Sequence, residues 1–288
     1  MKPVPAQRSS SREVRSRQGN VAAYVVCLVT AGFVLLPFAW LLRSSLMTIN
    51  QIFRFPPEWI PQPVAWENYP DALTTVPFFL YLKNTLFILV PTVAGTVLTS
   101  ALAAFGFSRL RWRGRDLIFN ILLATLMLPY AITLIPTFLL WAKLGLVNTP
   151  WPLVLPRWFG GGAFYIFLLR QFFRTIPREL DEAATLDGAN PLQVFRYIIV
   201  PQSIPALTTV AIFAALGAWN DFLNPLIYLN DSSKFTLALG LAEFTGLYSS
   251  QWHLLMAATV VVIAPVVVLF FIAQRYLIQG ITLTGKRG

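Results

Sequence analysis

The stretch Arg178-Glu179-Leu180-Asp181-Glu182-Ala183-Ala184-Thr185-Leu186-Asp187-Gly188-Ala189-Asn190-Pro191 is a polar island in an apolar chain, running on through Phe195, Ile198 and Ile199 to Pro201 and Pro205. Its punctuation reads as two short helices. Pro177 suits a first helical position, where a missing N–H costs nothing. Glu179, Asp181 and Glu182 fall in the first turns, where the helix dipole favours negative charge. Gly188 is placed to end that helix in a left-handed conformation. Asn190 is an N-cap with Pro191 behind it, and Phe195, Ile198 and Ile199 form an apolar stripe at helical spacing before Pro201 stops it. The expected product is a compact surface knob.

Composition says what carries the knob. With 56% hydrophobic and 12% charged residues, the chain reads as an integral membrane protein and not as a soluble globule. Its 288 residues hold about six spans of roughly 20 apolar residues each, with modest loops. A net charge of +10 would suggest nucleic acid in a soluble protein. Here the basic residues collect beside apolar runs, a pattern that orients spans, and no nucleic-acid partner is expected. Cys27 is the only cysteine, so no intrachain disulfide and no cysteine metal cluster is expected. The lone His253 has no cysteine or carboxylate company, and no metal site is expected.

Six apolar runs meet the length requirement: residues 21–42, 82–107, 117–141, 151–173, 204–229 and 254–278. The expected fold is all-α, a polytopic integral-membrane bundle of six transmembrane helices over residues 21–279, with the loop 177–205 projecting as the knob. A flexible basic tail at 1–20 precedes the bundle and a short tail at 280–288 follows it. The first run is too long for the core of a cleaved signal peptide and lacks a convincing small-residue cleavage site, so it reads as a retained span. With both termini cytoplasmic, about 16 of the 22 lysines and arginines fall inside and about six outside, the sense the positive-inside rule requires. The dense turn Arg109-Leu110-Arg111-Trp112-Arg113-Gly114-Arg115 then lies inside, and so does the knob.

Glu182-Ala183-Ala184, three residues, then Asp187-Gly188-Ala189, followed by Phe195, Ile198, Pro201 and Pro205, resembles the EAA loop of the permease subunits of bacterial ABC importers. Phe167-Leu168-Leu169-Arg170-Gln171-Phe172-Phe173 resembles the same family's approach to that loop. The resemblance implies a coupling helix that sits in a cleft on a separate ATPase and passes its opening and closing to the membrane helices. It assigns the ATPase contact to Glu179, Glu182, Ala183, Ala184, Asp187, Gly188 and Ala189. Alanine allows close approach, and Glu182 can make a charge-assisted contact that fixes orientation. Two copies of a cytoplasmic ABC ATPase, a second homologous permease chain, an extracytoplasmic solute-binding protein and the lipid bilayer of a bacterial inner membrane are the partners implied.

No Gly-x-x-x-x-Gly-Lys-Ser/Thr motif occurs, and Gly285-Lys286-Arg287 lacks both the glycine spacing and the hydroxyl residue. ATP and Mg are therefore expected on the partner ATPase, with no cofactor bound by this chain. The run Trp219-Asn220-Asp221-Phe222-Leu223-Asn224-Pro225-Leu226 resembles a Trp-Asn-x-Phe-x-x-Pro-Leu pattern of the carbohydrate, maltose-type branch. The tail from Arg275 to Gly288 resembles the sugar-permease terminus, and a second contact with the ATPase is expected beyond Thr282.

Three interruptions of the apolar runs are candidates for the solute pathway. Pro156, Arg157 and Gly160-Gly161-Gly162 break the outer half of the fourth run, and a broken helix at membrane depth is tolerated where it is buried in protein or lines a wet cavity. Gly160, Gly161 and Gly162 either shape a translocation site or form a surface loop before the helix begins. Asn220, Asp221 and Asn224 share one face of a helical fifth run, and an ionisable residue inside a span usually faces a cavity or a partner. They either present hydroxyl-binding groups to a polar solute or tie this helix to a neighbour. Pro129 and Pro136 free backbone carbonyls and kink the third run. Residues 43–79, rich in proline and tryptophan, belong outside, as a connector or as the surface that meets the solute-binding protein.

The function expected is that of a permease subunit forming half of a transmembrane pathway for a sugar or oligosaccharide, driven by alternating access through the knob. It is a transport subunit and not an enzyme. The competing account is an ion-coupled secondary transporter of a small polar solute working through Asp221, which leaves the knob unexplained.

Overall fold

The structure, a computed structural model, describes residues 10–246 and 250–282. Among them the chain forms helices and loops, with no strand and one isolated bridge between Thr245 and Ser250. Helices α1 (Ser10–Ser45), α2 (Asn68–Thr75), α3 (Phe78–Ser108), α4 (Arg115–Ala124), α5 (Tyr130–Lys143) and α6 (Ala163–Phe173) are followed by the loop helices α7 (Glu179–Leu186) and α8 (Pro191–Val194). The chain then forms α9 (Ile204–Trp219), α10 (Leu223–Tyr228) and α11 (Trp252–Thr282). Four segments are long and apolar enough to cross a membrane: Ala23–Ser45, Phe78–Ser108, Trp151–Phe173 and Trp252–Gln274. The number becomes six when each of two sharply bent helix pairs counts as one span.

Three details differ from the expected bundle. Residues from Ser10 onward, expected in a flexible tail, are helical and continuous with the first span. No proline lies between Pro5 and Pro37, and the arginines, Glu13 and Gln18 of this stretch are good helix formers. The third run is not one helix but two, bent by 101° between Arg115–Met127 and Tyr130–Lys143. Leu128 is extended, with ψ 119°, because the ring of Pro129 disfavours helical backbone at the residue before it. Pro136, by contrast, is accommodated inside α5. The fifth run stops at Trp219 and resumes as α10 only after Phe222. An 80° bend at Ser203 separates it from the second half of the loop.

Two apolar clusters sit at opposite ends of α3, whose 31 residues make a rod of about 46 Å. At one end Phe78 and Tyr81 pack with Ala72, Val76, Trp219, Leu237, Phe244, Leu254, Ala257 and Ala258. At the other end Ala101, Ala104 and Phe105 pack with Phe119, Ile166, Leu169, Phe173, Ile199, Ala206 and Val210. Helix α9 also belongs to both, through Val210 and Trp219. Small residues set the helix spacing, as the membrane setting requires. Gly95 lies under the ring of Trp158, where a Cβ would come within 2.7 Å. The flanks of α1 and α5 expose Tyr24, Leu28, Phe33, Ile132, Ile135 and Leu139, an apolar surface that acyl chains or another helical chain must cover.

Candidate coupling loop and central cleft

The loop 177–205 follows most of its punctuation, with two corrections: Pro177 lies before the N-cap Arg178 and not at the first helical position, and Pro201 is carried inside the helical turn Val200–Gln202, the break falling at Ser203. Helix α7 carries Glu179, Asp181 and Glu182 in its first turn. It closes through Ala189 N–H donating to the Ala184 carbonyl at 2.9 Å, with Gly188 left-handed at φ +85°. Asn190 opens α8 with a reciprocal capping box: its Oδ1 accepts from Gln193 N–H at 3.0 Å, and Gln193 Oε1 accepts from Asn190 N–H at 2.7 Å. A π-helical turn, Phe195–Ile199, follows and buries Phe195 and Ile199. Of the residues assigned to the ATPase contact, Glu179, Glu182, Ala183, Asp187 and Gly188 are exposed, whereas Ala184 and Ala189 pack against the apolar cluster. The knob thus offers a small and acidic outer face on an apolar base.

Arg109, at the end of α3, fastens that knob. Its guanidinium donates to the carbonyls of Phe173 at 2.5 Å and Ile176 at 2.8 Å, and pairs with Asp181 of α7 at 3.0 Å. Three segments therefore meet on one side chain that is only 4% exposed. Burial pushes the Arg109 guanidinium below its ordinary value, opposed by the charge of Asp181. Burial likewise raises Asp181 above the usual carboxylate range, against the pull of Arg109. Desolvation outweighs attraction at both partners, as it often does for buried pairs. Arg170 makes a second fastening: it donates to the Phe107 carbonyl at 3.2 Å, pairs with Asp116 at 3.6 Å, and lies over the Phe119 ring at 3.9 Å.

Neither arginine is among the residues nominated from sequence, and Asp181 is read there only as a complement to the helix dipole. Arg109 and Asp181 stand 72 positions apart, and no local spacing rule connects them. The one available signal is the density of arginine in 109–115 next to an acidic helix on the same side of the membrane.

The pathway candidates divide. Gly160, Gly161 and Gly162 all adopt positive φ, so the fourth run is broken where expected. Gly161 is pressed against α3: a Cβ there would lie 1.9 Å from Ser100 Oγ and 2.8 Å from the Thr96 carbonyl. Asn220, Asp221 and Asn224 do not share a helical face, since α9 has already ended. Asn220 donates to the Leu216 carbonyl at 2.9 Å. Asp221 accepts from the Asn224 backbone at 3.1 Å and from its Nδ2 at 2.9 Å, which caps α10. Tyr130 donates to Asn224 Oδ1 at 2.6 Å, tying the bend of the third run to the break in the fifth.

Asp221 also lines a narrow cleft, with room of about 50 Å³, together with Arg157, Tyr165, Thr85, Thr92, Thr96 and Gly217. The cleft is hydroxyl-rich and carries one group of each charge. The three glycines are not among its lining residues. The proposed contact beyond Thr282 lies outside the described residues.

A bundle of membrane helices, broken around a polar cleft and bearing a loop bolted to its frame, defines a polytopic transport subunit. Residues 95–283 match the family described as the binding-protein-dependent transport system inner membrane component, and the chain belongs to that family. It is 31% identical, over 295 aligned positions, to a probable ABC transporter permease protein, YurM, of Bacillus subtilis, covering 100% of this chain and 96% of that one. It is 32% identical over 254 residues to the sulfoquinovosyl glycerol transport system permease protein SmoH of Agrobacterium fabrum, covering 88% and 89%. The fold matches that of a bacterial ABC transporter involved in the import of the acidic polysaccharide alginate. There the TM-score is 0.79 at 23% identity, covering 96% of this chain and 99% of the other.

Proposed function

We propose that this chain is the permease subunit of an ATP-driven importer for a sugar or oligosaccharide, forming half of the transmembrane pathway and coupling to a separate ATPase by alternating access. A second homologous permease chain forms the other half. Two copies of the ATPase use ATP and Mg in the cytoplasm, and a solute-binding protein delivers the solute from outside a bacterial inner membrane. Both termini and the knob face the cytoplasm in this reading. Glu179, Glu182, Ala183, Asp187 and Gly188 meet the ATPase, while Ala184 and Ala189 seat the helix on the bundle. Asp221 and Arg157, which line the cleft, offer hydrogen bonds to solute hydroxyls, with Asn224 orienting Asp221 and the turn of Gly160, Gly161 and Gly162 orienting Arg157. The carbohydrate class rests on relatives such as SmoH, whose name states a glycosyl solute.

The observation that carries this reading is the pairing of an exposed acidic and alanine face on α7 with a buried latch beneath it. A force on the knob reaches α3 and α6 through Arg109 without first deforming the loop. The test is solute uptake and solute-stimulated ATP hydrolysis in vesicles holding the reconstituted complex. Glu182→Ala removes a charge-assisted contact of about 1.5 kcal/mol and lowers both by about tenfold. Wild-type uptake in that variant overturns the coupling role. Solute accumulation under an ion gradient without any ATPase would favour the secondary-transporter account.

A further inference from the structure

A second, open cleft of about 470 Å³ lies at the root of the knob, lined by Arg111, Trp112, Arg115, Asp116, Leu117 and Arg178. Its charge is unbalanced. Arg115 holds Asp116 through two bonds of 3.0 and 3.2 Å, and Arg170 adds a contact at 3.6 Å, so the one carboxylate present is already neutralised. Arg111 and Arg178 have no carboxylate within ion-pair distance among the described residues. Arg178 makes only a 3.5 Å contact to the Ser108 carbonyl.

The remaining wall is greasy. Leu117 is 65% exposed, Ile118 and Ile121 on the same flank of α4 are also exposed, and so is Trp112. Guanidinium groups next to an exposed apolar helix flank match an amphiphile with an anionic head and acyl tails. A water-soluble partner would leave that apolar flank uncovered. The knob's outer face is of opposite sign, carrying exposed Glu179, Glu182 and Asp187, so the two surfaces select different ligands.

We propose that this cleft binds the headgroup of an anionic phospholipid, with Arg111 and Arg178, the two guanidinium groups of the lining that hold no carboxylate, on the phosphate oxygens. Trp112 sits at headgroup level, and the acyl chains run along Leu117, Ile118 and Ile121. Lipid at this place braces the arginine turn from which Arg109 reaches the knob.

The test is native mass spectrometry of the full chain in detergent, supplied with equal amounts of phosphatidylglycerol and phosphatidylethanolamine. Phosphatidylglycerol is retained in preference. Arg111→Gln, at a side chain the fold does not use, lowers its retention about fivefold, and adding Arg178→Gln lowers it further. Arg196→Gln, outside the cleft, leaves retention unchanged. Equal retention of the two lipids, or unchanged retention in Arg111→Gln, overturns the proposal. Displacement of the lipid by millimolar inorganic phosphate alone would assign the cleft to a free anion. Displacement by added ATPase subunit would assign it to a protein surface. Either result overturns the proposal as well.

Discussion

At the Ser108 end of α3 neighbouring segments are held by guanidinium groups paired with carboxylates, whereas at the Phe78 end amides, hydroxyls and an indole do most of that work, beside the Arg43 guanidinium on the Glu58 carbonyl and the Tyr81 hydroxyl on Glu243. Arg109 and Arg170 bind carbonyls and carboxylates at the first. At the second, Asn68 Nδ2 donates to the carbonyls of Ser45 and Met47 at 2.9 and 2.8 Å, and Thr85 Oγ1 accepts from Leu237 N–H at 2.9 Å. Trp219 Nε1 donates to the Val262 carbonyl at 3.2 Å. At the loop end the buried Arg109 charge is tolerated because a carboxylate and two carbonyls meet it, while at Asn68 and Trp219, equally buried, neutral bonds join segments without placing an ion among them. Because α3 and α9 run through both clusters, a displacement imposed on the Ser108 end is carried to the Phe78 end by two stiff rods.

Removing one fastening from each end tests that difference. Arg109→Ala leaves Asp181 and two carbonyls without their donor, and costs about 3 kcal/mol, seen as a large drop in thermal stability in detergent. Trp219→Phe forfeits one neutral hydrogen bond and costs about 1 kcal/mol. Equal losses for the two variants would show that charge adds nothing to the fastening at the loop end. Arg109→Lys recovers only part of the loss, because an ammonium cannot span two carbonyls and a carboxylate in a planar fork.

Glycine replacement sharpens the contrast between a packed break and a free turn. Gly161→Ala drives a Cβ into Ser100 Oγ and the Thr96 backbone, at about 3 kcal/mol from overpacking together with left-handed strain. Gly188→Ala meets nothing within 4 Å and pays only the strain, about 1 kcal/mol. Both are read by thermal unfolding of purified chain. Equal losses here would mean that the break in the fourth run is not seated against α3.

Local chemistry explains which features are readable from sequence. Gly188, Asn190 and Pro191 act through bonds spanning a few residues, so both the end of α7 and the start of α8 follow from their spelling. Pro129 marks the third run for disruption, but its neighbour Leu128 turning extended converts a kink into a 101° bend, and that outcome depends on what α5 packs against. The glycine triplet announces a break without saying what lies behind it. Only the approach of Ser100, some 60 positions earlier, distinguishes a packed wall from a lining. Asn220, Asp221 and Asn224 are singled out together for a shared helical face, yet the chain break after Trp219 removes that face: Asp221 binds the first turn of α10 and also lines the cleft, while Asn224 does not line it. Arg109 is silent in sequence because all three of its partners come from segments more than 60 positions away.

The smallest expected effect is the pH dependence of the latch, and its sign discriminates between burial and attraction. Asp181 lies above its ordinary value of 3.8 in the folded chain because burial outweighs the pull of Arg109. The native state then holds the proton more tightly than the unfolded state does, and stability falls as pH rises from the ordinary aspartate range through the raised native value. The contribution is fully present below the unfolded pKa and is lost above the folded one. Thermal unfolding across that window shows a negative slope in the wild type, and Asp181→Asn, which cannot titrate, flattens it. A wild-type slope of the opposite sign, abolished by the same substitution, would mean that Arg109 holds the carboxylate below its unfolded value. In that case the latch stabilises as an ion pair, and the cost assigned to burying charge at the loop end is wrong.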